Sequence, residues 1–441
     1  MSTAQNGALA QPGRGSKRQV VAWAMWDWGT QPFQTVITTF VFSVYLTSPA
    51  FGETNFTSQS LSLSTALAGL LVALLAPVLG QNSDRTGHTV RNLRWLTWAL
   101  AVISGLLFFV RPHPNYLWLG LIMLGVGSII AEIANVNYYS LIDRVATPAN
   151  VGRVSGFGWG MGYLGGIVVL LLLYFAFIQP QVGLFGVSNA DGLDIRVSML
   201  GCALWTVVFT LPTFLALRDE PRPAAPRIGV ARSYALLWDS IKRLWRTQRN
   251  TAYFLIASAL FRDGLSGVFT FGAVIAAGTF GFTGAQVIVF GAAANIIAGL
   301  ATIASGWLDD RFGPKRVIIG SLGALVALCV AIFALHDRGP QVFWVCGLLL
   351  CAFVGPAQSA SRSFLARLIP EGQSGEIFGL YATTGRAVSF LAPSAFGLAI
   401  GLGALVTGQA NTQYWGILGI VAVLLLGALA MLGVKDVRGT H

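Results

Sequence analysis

A chain of 441 residues that is 55% hydrophobic and only 10% charged is not a set of two or three soluble domains, because its solvent must be largely lipid. The formal charge of +11 would suit a nucleic-acid binder, but the basic residues lie in short stretches between long apolar runs, which excludes a nucleic-acid face. Apolar runs of roughly 18 to 25 residues, each long enough to cross a ~30 Å hydrocarbon layer as a helix, also exclude the short alternating strands of a barrel.

Twelve such runs fall near 20–47, 60–80, 93–111, 116–139, 155–178, 197–217, 251–278, 284–307, 316–335, 341–359, 376–401 and 413–433. They predict an all-α polytopic membrane protein with 12 transmembrane helices in two pseudo-symmetric six-helix bundles. The expected divisions are a tail at 1–19, a bundle at 20–217, a linker at 218–250, a bundle at 251–433 and a tail at 434–441. Arg14, Lys17 and Arg18 precede span one, whose apolar length exceeds a signal peptide's core, so the span is read as retained. The four cysteines lie inside predicted spans with no His or Cys at ligand spacing, and no metal or other cofactor is expected.

Span one contains "WAMWDWGTQPF". At 1.5 Å per residue from Val20, Asp27 lies ~10 Å into the bilayer, too deep for its short side chain to reach headgroups. Asp27, Gln31, Gln34 and Thr38 share one helical stripe, with Pro32 loosening the backbone between them, so this span presents a polar face to a cavity. Span two ends in "GQNSDRTGHTVR", with Gly80, Asp84, Arg85 and Gly87. In span four Ser128, Glu132, Asn135 and Tyr139 trace another stripe, and Asn137 points elsewhere. Span five is dense in glycine, with Gly156/Gly160 and Gly162/Gly166 at four-residue spacing, which predicts close backbone approach to another helix. The expected partner is span eight, with Gly291, Ala294, Ala298 and Gly299. A phosphate loop is not implied, because the strand-turn-helix context is absent.

The linker begins with the Pro-rich "RDEPRPAAPR" and continues as "RSYALLWDSIKRLWRTQRN". There Tyr234, Leu237, Trp238, Ile241, Leu244 and Trp245 follow helical spacing, which predicts an amphipathic helix in the headgroup region; an acidic-partner site is the alternative. Span seven carries Arg262 and Asp263, the latter on one face with Ser266 and Thr270. Deep ionisable residues are costly unless paired or hydrated, so Asp27, Arg262, Asp263 and Glu132 read as functional, against permanent Arg262–Asp263 or Arg262–Asp27 pairs that only fasten the bundle. Arg386 in span eleven suits a substrate carboxylate or phosphate, or pairs with Asp27 or Glu132 as a bridge. Tyr163, Asn295, Gln358 and Tyr381 are further candidates for the cavity wall, each also satisfied as an ordinary interhelical contact.

With the N-terminus placed in the cytoplasm, all but five of the 28 Lys and Arg residues fall inside, the exceptions being Arg111, Arg196, Arg338, Arg262 and Arg386. This is the positive-inside pattern, with both termini cytoplasmic. Repetition supports two halves. Gly80, Asp84, Arg85 and Gly87 recur at one offset as Gly306, Asp310, Arg311 and Gly313 in "GWLDDRFGPKR". At nearly the same offset, Arg144, Gly152 and Gly156 of "LIDRVATPANVGRVSG" recur as Arg367, Gly375 and Gly379 of "FLARLIPEGQSGEIFG".

The G-x-x-x-D-R-x-G loop and its echo resemble the major facilitator superfamily over the whole chain, with His88 and Thr89 in place of its usual basic pair. "WAMWDWGTQPF", "GRVSGFGWGMGYLGG", "RDGL" and "GPAQSASRSFLARLIP" are similar to the autophagy-related vacuole effluxer family. The resemblance implies movement of amino acids or related small solutes by alternating access of two rocking halves. It also implies that Asp84 and Asp310 approach the starts of spans eleven and five as gates, with Arg144 and Arg367 completing the clusters and Arg85 and Arg311 beside them. The expected partners are a small-molecule substrate, the lipid bilayer and protons, in a monomer of the plasma (inner) rather than vacuolar membrane. A receptor that kept the fold, or a facilitator without ion coupling, are the alternatives; an enzyme is not expected, since no HExxH or GxSxG motif occurs.

Overall fold

The computed structural model describes residues 16–220, 230–370, 372–409 and 412–436. The expected tail through residue 15, the Pro-rich 221–229 stretch and the tail from 437 lie outside the described residues. Among the described residues, eleven helical stretches are long and apolar enough to cross a membrane, and the extended backbone is limited to one bridge between Val182 and Ser188.

The twelfth span is the first in the chain: α1 (Lys17–Pro32) passes into a π-helical segment (Phe33–Phe40) and a short α2 (Phe42–Leu46). Pro32 has no N–H to give to the Trp28 carbonyl, and the Trp205 indole donates to that carbonyl at 3.2 Å. Within the π-helical segment the hydroxyls of Thr38 and Thr39 donate to the carbonyls of Phe33 and Gln34 at 2.6 and 2.7 Å. The first half continues with α3 (Thr54–Thr86), α4 (Thr89–Leu106), α5 (Leu117–Ser140), α6 (Ile142–Val145), α7 (Val151–Leu173) and α8 (Leu193–Ala216). After the linker helix α9 (Val230–Thr247), the second half comprises α10 (Arg249–Gly278), α11 (Gly284–Phe312), α12 (Pro314–Ala334), α13 (Pro340–Leu368), α14 (Ser374–Ala387), α15 (Leu391–Thr407) and α16 (Gly416–Leu432).

Two expected boundaries are corrected. Span ten was expected to end at 359, but α13 runs on to Leu368, because the polar SASRS stretch is helical and turned inward. Span eleven was expected to be continuous, but it breaks between α14 and α15.

The halves meet through α3 against α14 and α7 against α11. A Cβ added at Gly156 would lie 2.7 Å from the Thr302 carbonyl oxygen, and one at Gly160 would lie 2.7 Å from that of Gly299, so only glycine allows this approach. Three further glycines of α7 meet span one instead of span eight: Gly165 lies against Trp28, and Gly162 and Gly166 against Gln31 and Thr35. Farther along α11, a Cβ at Gly291 would meet nothing within 4 Å. The halves therefore touch at the end where α1 begins and α16 finishes, and part toward the other end. These are the closed and open ends.

The linker helix lies at the closed end. Leu237, Ser240 and Leu244 are buried, whereas Tyr234, Trp238 and Trp245 are exposed, and the Tyr234 hydroxyl donates to the Leu74 carbonyl at 3.1 Å.

Candidate functional site

A cavity of about 550 Å³ separates the halves midway along the bundle. Asp27, Gln31 and Gln34 of α1 and the π-helical segment line it, as do Glu132 and Asn135 of α5 and Tyr163 of α7. The second half contributes Arg262 and Asp263 of α10, Gln358 of α13, and Tyr381 and Arg386 of α14. Asn295, expected at this wall, is not part of it: its side chain donates back to the Gly291 carbonyl at 2.8 Å, one turn earlier on α11.

The ionisable residues sort into three arrangements. Arg386 and Glu132 form an ion pair across the halves, with side chains 36% and 30% exposed to the cavity. Of the bridges expected for Arg386, the structure brings together the one with Glu132.

Asp27 pairs with an arginine placed in a loop by the expected end of span ten. Arg362 is fully buried, and its Nη1 lies 3.6 Å from Asp27 Oδ2. Its Nε donates to the Ser155 hydroxyl at 3.0 Å and its Nη2 to the Ser155 carbonyl at 2.6 Å. Trp23, Tyr138, Tyr139 and Trp159 surround the guanidinium, with ring centroids 5.0 to 5.7 Å from Cζ. Four π faces and Ser155 thus replace much of the hydration that burial removes. The signal in the sequence was Arg362's place four residues after Gln358, on the stripe that faces the cavity.

Arg262 and Asp263 do not pair with each other, since adjacent residues point to different sides of a helix. Arg262 donates to the Tyr381 carbonyl at 3.0 Å and lies 3.7 Å from that ring's centroid. Asp263 accepts from the Ala392 N–H at 2.6 Å, in the first turn of α15. A carboxylate from span seven thus supplies the cap for the broken span eleven, where free N–H groups and the helix dipole favour negative charge. Tyr163 donates to Gln358 at 3.0 Å, and the Tyr381 hydroxyl shares a 2.7 Å hydrogen bond with Ser361.

At the closed end, two carboxylates meet helix starts in the opposite half. Asp84 accepts from the N–H groups of Gly375 and Glu376 at 2.9 Å each. Asp310 accepts from those of Gly152 and Arg153 at 2.7 and 3.1 Å and from the Arg153 side chain at 2.8 Å. Arg367 joins the second cluster, bonding Asp309 at 2.5 Å and Asp310 at 3.1 Å. Its repeat-mate Arg144 turns to the Arg218 carbonyl at 3.1 Å, at the end of α8. Arg311 stacks over Phe312 at 5.3 Å, and Arg85 lines a second cavity beside α9. Sequence reasoning passed over Asp309, which also accepts from Ser363, and Asp143, which accepts from Ser374 across the halves.

The family model for vacuole effluxers like Atg22 matches residues 48–440. The chain belongs to that family. Among relatives, an uncharacterized MFS-type transporter of Bacillus subtilis (strain 168), YxiO, is 25% identical over 93% of this chain and 94% of its own length. Autophagy-related protein 22-1 of Aspergillus niger is 25% identical over 62% of this chain and 47% of its own, so this Atg22-like chain spans about half of that relative's length. Among solved structures, a bacterial homologue of the iron transporter ferroportin, outward-facing, superposes with a TM-score of 0.67 at 16% identity, covering 94% of this chain and 98% of that one. The transporter FucP in its outward conformation gives 0.67 at 13% identity, covering 95% and 99%. The fold is therefore the twelve-helix major facilitator fold, and this Atg22-like chain is a multi-pass membrane transporter rather than an enzyme.

Proposed function

We propose that this transporter moves a small zwitterionic solute, an amino acid or a close relative, by alternating access, with proton coupling through Asp27. The observation that carries the reading is the Glu132–Arg386 pair, opposite charges from different halves exposed in one cavity. A zwitterion can exchange partners with such a pair, its carboxylate taken by the Arg386 fork and its ammonium by Glu132. Because the two groups sit on separate halves, a bound solute would tie the halves together as the ion pair does when the cavity is empty.

Asp27 and Arg362 support the coupling. They too join the halves, at the cavity floor, and Asp27 Oδ2 and Arg362 Nη1 make no hydrogen bond to each other or to any other described group. An ion pair at 3.6 Å without a hydrogen bond is one that a proton can dissolve: protonating Asp27 removes the attraction, and Arg362 remains held by Ser155 and the aromatic rings.

We assign the closed end to the cytoplasm of a plasma (inner) membrane, with both termini there, from the excess of Lys and Arg in its loops. The effluxer description of the family favours efflux, and the resemblance seen in the sequence favours amino acids. The test is counterflow of labelled amino acids in proteoliposomes, with and without a pH gradient. Exchange that the gradient drives, and that Asp27→Asn leaves intact as exchange but uncouples from pH, is the expected result. Exchange insensitive to the gradient in the wild type would make the protein a facilitator, and no exchange across an amino-acid panel would remove the substrate class.

A further inference from the structure

Asp27 lines the central cavity, yet its Oδ2 is shut off from solvent and accepts no hydrogen bond among the described residues. Two other polar atoms are sealed beside it in the same condition. Arg362 Nη1 lies 3.6 Å away, and the Tyr138 hydroxyl faces the carboxylate from α5. A buried carboxylate oxygen is costly unless a donor reaches it, so one of these two must serve it when Asp27 is charged.

Arg362 is held back. Its Nε and Nη2 are engaged by Ser155, and four rings surround its guanidinium. The Tyr138 ring is clamped as well, between Trp23 and Trp26, with its centroid 4.4 Å from each. The Trp23 indole also donates to the Tyr138 carbonyl at 3.2 Å. Both tryptophans belong to α1, the helix that carries Asp27, so the clamp sets the phenol against the carboxylate. Its hydroxyl still turns about the C–O bond and can either donate or accept. A fixed ring with a turning hydroxyl suits a carboxylate whose charge changes. Tyr139 also faces Asp27, but it lines the cavity, and across that cavity stand Tyr163, Arg262, Asp263 and the Glu132–Arg386 pair.

We infer that Tyr138 is a positioning residue of the coupling site, whose hydroxyl donates to Asp27 Oδ2 while the carboxylate is charged and sets the pH at which Asp27 takes a proton from cavity water. The inference rests on the reading of Asp27 as the proton carrier. Tyr138 and Asp27 belong to the same half, and Arg362 to the other. The hydroxyl therefore shares the charge of Asp27 within the first half and leaves Arg362 a weaker hold across the interface. A proton on Asp27 then ends that hold, while Arg362 stays on Ser155.

Tyr138→Phe tests this, because it keeps both ring stacks and removes only the hydroxyl. A hydrogen bond to the charged form favours that form. Without it, the midpoint of the pH profile of gradient-driven amino-acid exchange in proteoliposomes should rise by about one unit, a tenfold change in proton affinity. An unmoved or lowered midpoint overturns the role of Tyr138. Exchange that ignores pH in the wild type defeats the coupling reading and this inference with it, whereas a wild type that responds to pH beside an unmoved Tyr138→Phe defeats this inference alone. Should Tyr138→Phe fail to fold, infrared difference spectra between high and low pH, recorded with ring-labelled tyrosine, decide. A tyrosine band should titrate together with the Asp27 carboxyl, vanish in Asp27→Asn and persist in Tyr139→Phe. Absence of that band from the wild type, or its loss in Tyr139→Phe, overturns the assignment.

Discussion

Two arginine–carboxylate pairs bridge the same two halves, yet one is sealed and the other wet. Arg362 is 0% exposed and wrapped by four rings, whereas the Arg386 and Glu132 side chains keep about a third of their surface open to the cavity. The same chemistry therefore has opposite consequences. In the sealed pair, losing the arginine strands the Asp27 charge, whereas neutralising Asp27 leaves Arg362 held by Ser155 and the rings, so it is the arginine that fixes the structure around it. A wet pair loses little when broken, because water takes over, and it is free to trade partners with a solute.

The sharpest way to break this contrast is Arg362→Ala. It leaves Asp27 buried without its counterion and takes from Ser155 the two bonds that Arg362 donates, and a loss of about 3–5 kcal/mol is expected, read as a large drop in melting temperature in detergent. The double variant Asp27→Asn with Arg362→Met should recover most of that loss, since two neutral side chains need no mutual compensation. A single variant as stable as the wild type would show the pair to be hydrated after all. Arg362→Lys should fall between, because one ammonium cannot reach both Ser155 and Asp27 as the guanidinium fork does.

The wet pair should answer differently. Glu132→Gln and Arg386→Gln are expected to change stability by no more than ~1 kcal/mol, while abolishing solute counterflow. Loss of folding in either would mean that the cavity is drier than its geometry implies, and retained counterflow in both would take the pair out of solute binding.

This contrast also marks what could be read from residues alone. Asp27, Glu132 and Arg386 were legible because a charge deep in an apolar run has few explanations, and the helical stripes around Asp27 and Glu132 pointed to one cavity. Arg362 was missed because Ser359, Ser361 and Ser363 lower the apolar character of span ten's end, although each is buried within α13. Apolar content reports contact with lipid, and this stretch faces protein. The role of Asp263 was likewise hidden, since its partner is a backbone N–H exposed by a break in span eleven that no proline marks at the break itself. The latch carboxylates Asp84 and Asp310 announced themselves by repetition, but the division of labour between Arg144 and Arg367 did not, because it depends on which loop the linker brings near.

The latches extend the comparison to the closed end. Asp310 is held by two backbone N–H groups, Arg153 and Arg367, and Asp84 by two backbone N–H groups of α14 among the bonds described above. Asp310→Asn should therefore open the closed end. A charge at a helix start is worth about 0.3–1 kcal/mol, up to ~2 where partly buried, so the populations should move by roughly two- to thirtyfold. Distances between spin labels across the closed end measure this, and an unchanged distribution in Asp310→Asn would show that Asp310 does not latch the halves.

The smallest effect comes from a bond between α3 and α14. Pro77 cannot give an N–H to the Ala73 carbonyl, and the Thr383 hydroxyl, from the other half, donates to it at 2.9 Å. Thr383→Val removes that donor without changing shape and should cost about 1 kcal/mol. Because the bond exists only while α3 and α14 are together, the loss should appear in the balance between closed and open ends rather than in melting. Pro77→Ala restores an N–H within α3, so Thr383→Val in that background should have almost no effect. If the two substitutions instead act additively, Thr383 does not answer for the proline, and the carbonyl of Ala73 is satisfied in some other way when the halves part.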